Sequence, residues 1–132
     1  MKVISNNRIS NKEANLIKGA IRRVFSRSEL RREVVTRCID KDHVDSSRPR
    51  VKTWCKCDSC GTHIAKSDVE VDHIIPVIPL DKSLLEITWD ELVNRIWCDS
   101  SNLQGICENC HKCKTKEESL LRRNFKRAKI NI

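Results

Sequence analysis

Two CxxC pairs set the tightest limit on how this chain can fold. Cys57-Asp58-Ser59-Cys60 and Cys107-Glu108-Asn109-Cys110 are separated by 46 residues. Four thiolates suit the tetrahedral preference of Zn²⁺, so the spacing predicts one structural zinc site that pins two distant parts of the chain together. A single CxxC also serves redox chemistry, but that use calls for one motif at a helix start, not two. Gly61, directly after Cys60, permits the positive φ that a knuckle turn requires. Cys55 turns the first corner into CxCxxC, so three thiols compete for it. Cys38, Cys98 and Cys113 are expected to be small buried hydrophobes.

Composition agrees with a stapled fold. A chain of 132 residues is one domain by length, and two Phe, three Trp and no Tyr make a thin aromatic core that a metal would reinforce. The opening MKVISNNRIS holds no apolar run suited to a signal peptide, and nothing further on approaches a membrane span. The expected location is therefore the cytoplasm, with no membrane partner. Thiols stay reduced there, so eight Cys point to metal or buried thiols rather than to disulfides.

The net charge of +8 is unevenly laid out. Residues 1–53 carry 14 Lys/Arg against 6 Asp/Glu, residues 54–111 carry 4 against 10, and residues 112–132 carry 8 against 2. An acidic middle between basic arms suggests a cation-binding centre flanked by contacts to a polyanion, with phosphate the expected partner.

Periodicity fills in the elements. Ala14, Ile17, Ile21, Val24 and Phe25 fall at helical spacing behind Ser10 or Asn11 as a cap, and Leu30, Val34, Val35, Cys38 and Ile39 form a second run. The pair predicts a helical hairpin with Arg22, Arg23, Arg27, Arg31, Arg32 and Arg37 on its polar surface. Two uses stand for it: ordinary amphipathic packing on the domain, or a clamp on a DNA backbone. Residues 41–52 are a polar linker expected to separate hairpin from metal domain, with His43 solvated. Val69–Ile75 is expected as a strand ended by Pro76. Thr88–Glu91 has capping-box spacing, and Trp89, Leu92, Val93, Ile96 and Trp97 form its buried stripe. Asp99–Asn102 is a turn, Leu103–Ile106 a short strand, and a helix runs from the second knuckle past Leu121 into a basic tail.

Val71-Asp72-His73-Ile74 sets a carboxylate beside an imidazole, and His111 immediately follows Cys110. Together, VDHIIP, SNLQ and CxxCHxxKT resemble the HNH endonucleases of the ββα-metal fold, especially small phage-encoded ones, over Trp54–Thr115. The resemblance does not cover the N-terminal hairpin; joined to the periodicity and charge pattern it gives an expected α+β fold, with a basic helical hairpin and linker over 1–53, a zinc-stapled HNH domain over 54–121 and a basic tail over 122–132. It implies a metal-dependent endonuclease acting on DNA in the host cytoplasm, leaving 5′-phosphate and 3′-hydroxyl ends. One active site would nick, and a dimer would cut both strands.

Phosphodiester hydrolysis needs an activated water and a cation on the developing charge, and the residues suit those roles. Asp72 is a hard oxygen ligand for Mg²⁺ or Mn²⁺, and His111 adds a nitrogen that also suits Ni²⁺ or Zn²⁺. His73, projecting opposite to Asp72, is expected as general base, with an ordinary imidazole pKa near ~6.5. By resemblance, Asn102 orients the loop between the strands. Lys114, one helical turn beyond His111, is an expected phosphate contact, as are Arg122 and Arg123 in the tail. His63 lies outside the pattern and is expected to be structural or exposed. Gly105 departs from it, since the family more often has an apolar strand residue there. The alternative is a zinc module that binds nucleic acid without turnover, for which adjacent Asp72 and His73 have no use. A protein-interaction zinc ribbon would leave the basic arms without a role.

Overall fold

A computed structural model describes residues 2–6 and 8–130 of the chain. The last two residues of the expected basic tail lie outside them. The order is α1 (Asn11–Phe25), α2 (Glu29–Arg37), β1 (Trp54–Lys56), β2 (His63–Ala65), β3 (Glu70–His73), α3 (Trp89–Ile96), β4 (Leu103–Ile106) and α4 (Glu108–Ile130). This is an α+β fold of four helices and two small antiparallel sheets, β1–β2 and β3–β4. Helix α4 runs without a break through Arg122 and Arg123.

Local signals account for the helix starts. Ser10 and Glu13 form a reciprocal capping box on α1, Ser28 caps α2, and Thr88 caps α3 by accepting the Glu91 N–H. The apolar stripes are narrower than their periodicity suggests. Ala14 and Phe25 are buried on α1, whereas Ile17 and Val24 are exposed; on α3 Leu92 and Ile96 are buried, whereas Val93 and Trp97 lie open. Both helices have one packing partner surface, so only the centre of each stripe is covered.

The main core joins Ile4, Ala14, Phe25 and Val34 to Val77, Leu84, Ile87, Leu92, Ile96 and Leu103. Ile4 is completely buried, and its N–H reaches the Ile87 carbonyl at 2.7 Å, although residues 1–9 carry no periodic signal. The helical hairpin therefore shares one core with the segment between β3 and β4. The linker does not hold the hairpin away. Ile39 bridges Cys55, the Asp40 N–H bonds the Trp54 carbonyl, and the Lys56 N–H bonds the Cys38 carbonyl, so α2 leads directly onto β1. His43, expected to be solvated, is half-buried. Its ring stacks on His63 at 3.7 Å and meets Trp54 edge-on at 5.1 Å, because the linker folds back over β1–β2. His63 in turn bonds Asp40 at 2.8 Å.

Strand β3 is shorter than the predicted Val69–Ile75. The register pairs Glu70 with Ile106, Asp72 with Gln104 and His73 with Leu103, and then β4 runs out. Beyond it the Asn102 carbonyl accepts the Ile74 N–H at 2.8 Å, and the Asn102 side chain accepts the Ile75 N–H, also at 2.8 Å. Ile74 and Ile75 are left exposed.

Gly105 has a packing reason. A Cβ there would lie 2.5 Å from the Cys38 sulfur and 3.1 Å from a Val69 methyl. Helix α2 thus packs flush on β4 only because position 105 lacks a side chain. Gly105→Ala should lower the thermal midpoint and cost about 1–3 kcal/mol through overpacking. Adding Cys38→Ala should recover part of that loss, which a double-mutant cycle by thermal melting measures. Full additivity of the two changes would show that the contact does not matter.

Candidate functional site

The thiols assemble as their spacing predicts. The sulfurs of Cys57, Cys60, Cys107 and Cys110 all lie within 4.8 Å of one another. Zn–S bonds of about 2.3 Å in a tetrahedron set sulfur–sulfur edges of about 3.8 Å. The Cys60–Cys107 separation is 3.8 Å. The four thiols form a cluster able to bind a metal such as zinc. Gly61, the one residue with positive φ (76°) among those described, closes the first knuckle, and backbone N–H groups of Cys60 and Cys107 point at the Cys57 sulfur. The Thr62 hydroxyl, followed by its backbone, holds Cys60 down at about 6, so that thiol ionises readily.

The competing thiols are placed elsewhere. Cys55 is fully buried among Val35, Cys38 and Val69 on the α2 side. Burial, then the neighbouring Asp58, pushes Cys38 up to about 11, so it remains a thiol and donates to Asp58 at 3.5 Å. Cys98 is half-buried, 3.7 Å from the Asn102 amide. Cys113, expected to be buried, is exposed; it lines a cleft beside Cys60, Cys107 and Cys110 without joining their cluster. Asp58 carries a role that motif reading missed. Its N–H bonds the Gly105 carbonyl and its carboxylate accepts the Gly105 N–H, both at 2.8 Å, which fastens the knuckle to β4.

Alternation along β3 then separates two kinds of chemistry. Glu70 and Asp72 face α4, whereas Val69, Val71 and His73 face the core and the helical hairpin. Asp72 accepts from Gln104, its cross-strand partner, at 3.0 Å and pairs with Lys114 at 3.1 Å. A Glu70 oxygen lies 3.0 Å from His111 Nδ1, yet it is buried and has no partner in hydrogen-bonding geometry. His73 is buried against Phe25, ring centres 5.4 Å apart, and Nε2 bonds the Ile96 carbonyl at 2.8 Å. A carbonyl only accepts, so Nε2 carries the hydrogen and Nδ1 keeps its lone pair. That Nδ1 is buried without a hydrogen-bond partner. Burial lowers the His73 pKa, against the opposing pull of the Ile96 bond.

Asp72, His73 and His111 line one cleft of about 220 Å³ with Lys18, Arg22, Lys114, Glu118 and Arg122. Asn102 bonds the backbone of Ile75, just past His73, through both ends of its amide. The expected phosphate contacts are distributed differently from one another. The Lys114 ammonium is committed to the His73 carbonyl at 2.7 Å, to Asp72 and to Glu118. The Arg122 guanidinium donates to the carbonyls of Ile78 and Pro79 at 2.8 and 3.0 Å, holding the cleft wall. Arg123 is exposed. Glu70 and Gln104 escaped motif reading, although strand alternation and the cross-strand register place both next to Asp72. Lys18 and Arg22 reach the cleft only through the tertiary packing of α1.

Cys60→Ser and Cys107→Ser should each yield protein with less than stoichiometric metal and no cooperative melt, since binding at such a site supplies folding free energy. Cys113→Ser should stay metal-loaded. Elemental analysis beside a thermal melt checks all three, and full metal content in the Cys107 variant would refute the assignment.

No family model matches the chain, and no solved structure matches it. Among described residues, no helix is long and apolar enough to cross a membrane. Over 62 residues, 46% of this chain, it is 39% identical to a protein of Lactococcus phage SK1 described as a probable HNH endonuclease. The chain spans about half, 54%, of that relative's length. What this chain is similar to, over nearly half its own length, is thus a phage protein described as a probable HNH endonuclease.

Proposed function

We propose that the chain is a metal-dependent HNH endonuclease that hydrolyses phosphodiester bonds in DNA. The observation that carries this is His73: a buried imidazole whose Nε2 is tied to a carbonyl and whose Nδ1 is unpartnered, in a cleft shared with Asp72 and His111. A histidine serving only structure would be expected to satisfy both nitrogens. The phage relative supports the family, and the basic arms support a polyanionic substrate.

The donor set fits a divalent cation. Asp72 already attracts a cation, the Lys114 ammonium, and His111 offers an imidazole from the same face of the sheet. Asp72 and His111 would hold Mg²⁺ or Mn²⁺, with Ni²⁺ or Zn²⁺ also compatible, and the bound ion supplies Lewis-acid stabilisation of charge building on the phosphate. His73 Nδ1 takes the proton from the attacking water, and the Ile96 carbonyl steadies the imidazolium that results. Because Nδ1 is covered, admitting that water takes a side-chain movement at the cleft. Phe25 packs on the ring, and burial there lowers the His73 pKa, which favours the neutral form. Glu70 lies 3.0 Å from His111 Nδ1, which would leave Nε2 as the nitrogen for the ion. Lys18 and Arg22 are free to meet phosphate oxygens. Asn102 positions the loop after His73.

His73→Ala should abolish plasmid nicking while retaining Mn²⁺ binding, and Asp72→Ala should lose both. Calorimetric titration of the zinc-loaded proteins separates the two variants, and the opposite pattern would exchange base and ligand. The rate should rise with pH while His73 deprotonates and then level off. Burial depresses the His73 pKa, so the midpoint of that rise should fall below ~6.5. A pH–rate profile with its midpoint above that value would exclude a buried imidazole as base.

A further inference from the structure

We infer that the chain has a second nucleic-acid contact, a cationic groove on the α2 side of the β3–β4 sheet that holds a phosphate backbone away from the cleft. The groove encloses about 630 Å³ between α2, residues 50–53 and residues 65–67. Arg31, Arg32, Arg50, Lys52 and Lys66 line it, and no Asp or Glu does. Among described residues none of these five is ion-paired: the pairs present join His63 to Asp40, His111 to Glu70, Lys112 to Glu108, and Lys114 to Asp72 and Glu118. Lys52 bonds only the Pro49 carbonyl, and Arg31 only a carbonyl at 3.4 Å. Five cations around one groove with no acidic residue give it a positive potential that attracts a polyanion.

Contrast with the cleft sharpens the assignment. There Lys114 and Arg122 are held by protein acceptors and only Lys18 and Arg22 are not, whereas in the groove, among described residues, no acceptor meets the side chains of Arg32, Arg50 or Lys66. Val35, Val51 and Ala65 give it an apolar floor, so the groove presents hydrocarbon below and charge at the rim. That matches a sugar–phosphate backbone, whose sugars are largely apolar in profile and whose phosphates project. Arg and Lys contacts of this kind fix position on a nucleic acid without reading sequence. No residue of the groove lines the cleft, and the sheet lies between Glu70 and Asp72 on one face and α2 on the other. A backbone in the groove is therefore a different stretch from the one presented to His73. The identity of the polyanion as DNA rests on the proposed function; the groove itself does not.

The test is binding of a short DNA duplex to zinc-loaded protein with no added divalent metal, measured over a range of salt. Arg32→Ala, Arg50→Ala and Lys66→Ala combined should weaken binding and make the slope of log K against log salt shallower, by ~0.9 per lost contact and so by up to ~2.7. Arg32→Lys with Arg50→Lys should keep the parent slope. All three alanine positions are exposed; zinc content and a melt confirm folding, and Arg50→Ala alone serves if the triple variant fails it. An unchanged slope in folded variant protein would overturn the groove. So would a preference for polyglutamate over DNA that the triple variant abolishes. Nicking by the parent protein is scored separately. A shifted slope without nicking would leave the groove and remove the endonuclease, and nicking with an unchanged slope would do the reverse.

Discussion

Everything in the site depends on one long-range closure, the meeting of four sulfurs from two corners 46 residues apart. Closing a loop of that length costs conformational entropy that a metal bond network can offset. The Asp58–Gly105 hydrogen bonds repeat the same closure in backbone form, immediately beside the sulfurs. Once β4 is fixed against the first knuckle, β3 pairs to it, and the start of α4 follows from Cys107. Asp72 and His111 then share a face without any direct bond between them. Their mutual placement is inherited from the cysteines.

Electrostatics divides the chain's many cations into two groups. Some hold the structure: Arg37 donates to the carbonyls of Ser100 and Leu103, Arg95 to those of Pro76 and Val77, and Arg122 to those of Ile78 and Pro79. Guanidinium is well suited to this, because its fixed fork satisfies two carbonyls of an irregular segment at once. The segment after β3, which walls the cleft, is held in this way from α3 on one side and α4 on the other. Lys114 is held in the same way by the His73 carbonyl, Asp72 and Glu118, while Lys18 and Arg22 line the cleft and Arg32, Arg50 and Lys66 are exposed. A count of basic residues therefore overstates the charge available to a partner.

Much of this was legible in the sequence, wherever chemistry depends on short spacing. The four clustered cysteines, the opposed directions of Asp72 and His73 and the two helices α1 and α2 all follow from motif or period. What stayed hidden depended on tertiary contact. Ile4 is buried because it lies beside Ile87, a pairing no local pattern encodes. The exposure of Val24 and Val93 reflects how little surface each helix meets. His43 lacked neighbours in sequence and gained them when the linker doubled back. Gly105 looked like a departure from an apolar strand, and only the packed Cys38 sulfur explains it. Glu70 could have been found by carrying strand alternation two residues back from Asp72.

Phe25 comes from the helical hairpin, outside the stretch Trp54–Thr115 that carries the motif, yet it forms part of the wall around His73. Lys18 and Arg22, from the same helix, reach into the same cleft. The motif region supplies the proposed reacting groups, and helix α1 supplies part of their surroundings. The two are therefore not interchangeable modules. A ββα unit excised from this chain would keep its donors and lose the Phe25 face of the pocket around His73. Grafted behind a different hairpin, the same imidazole would lose part of the burial that lowers its pKa, so residues outside the motif bear on the proposed base as well as Asp72 and Lys114 within it.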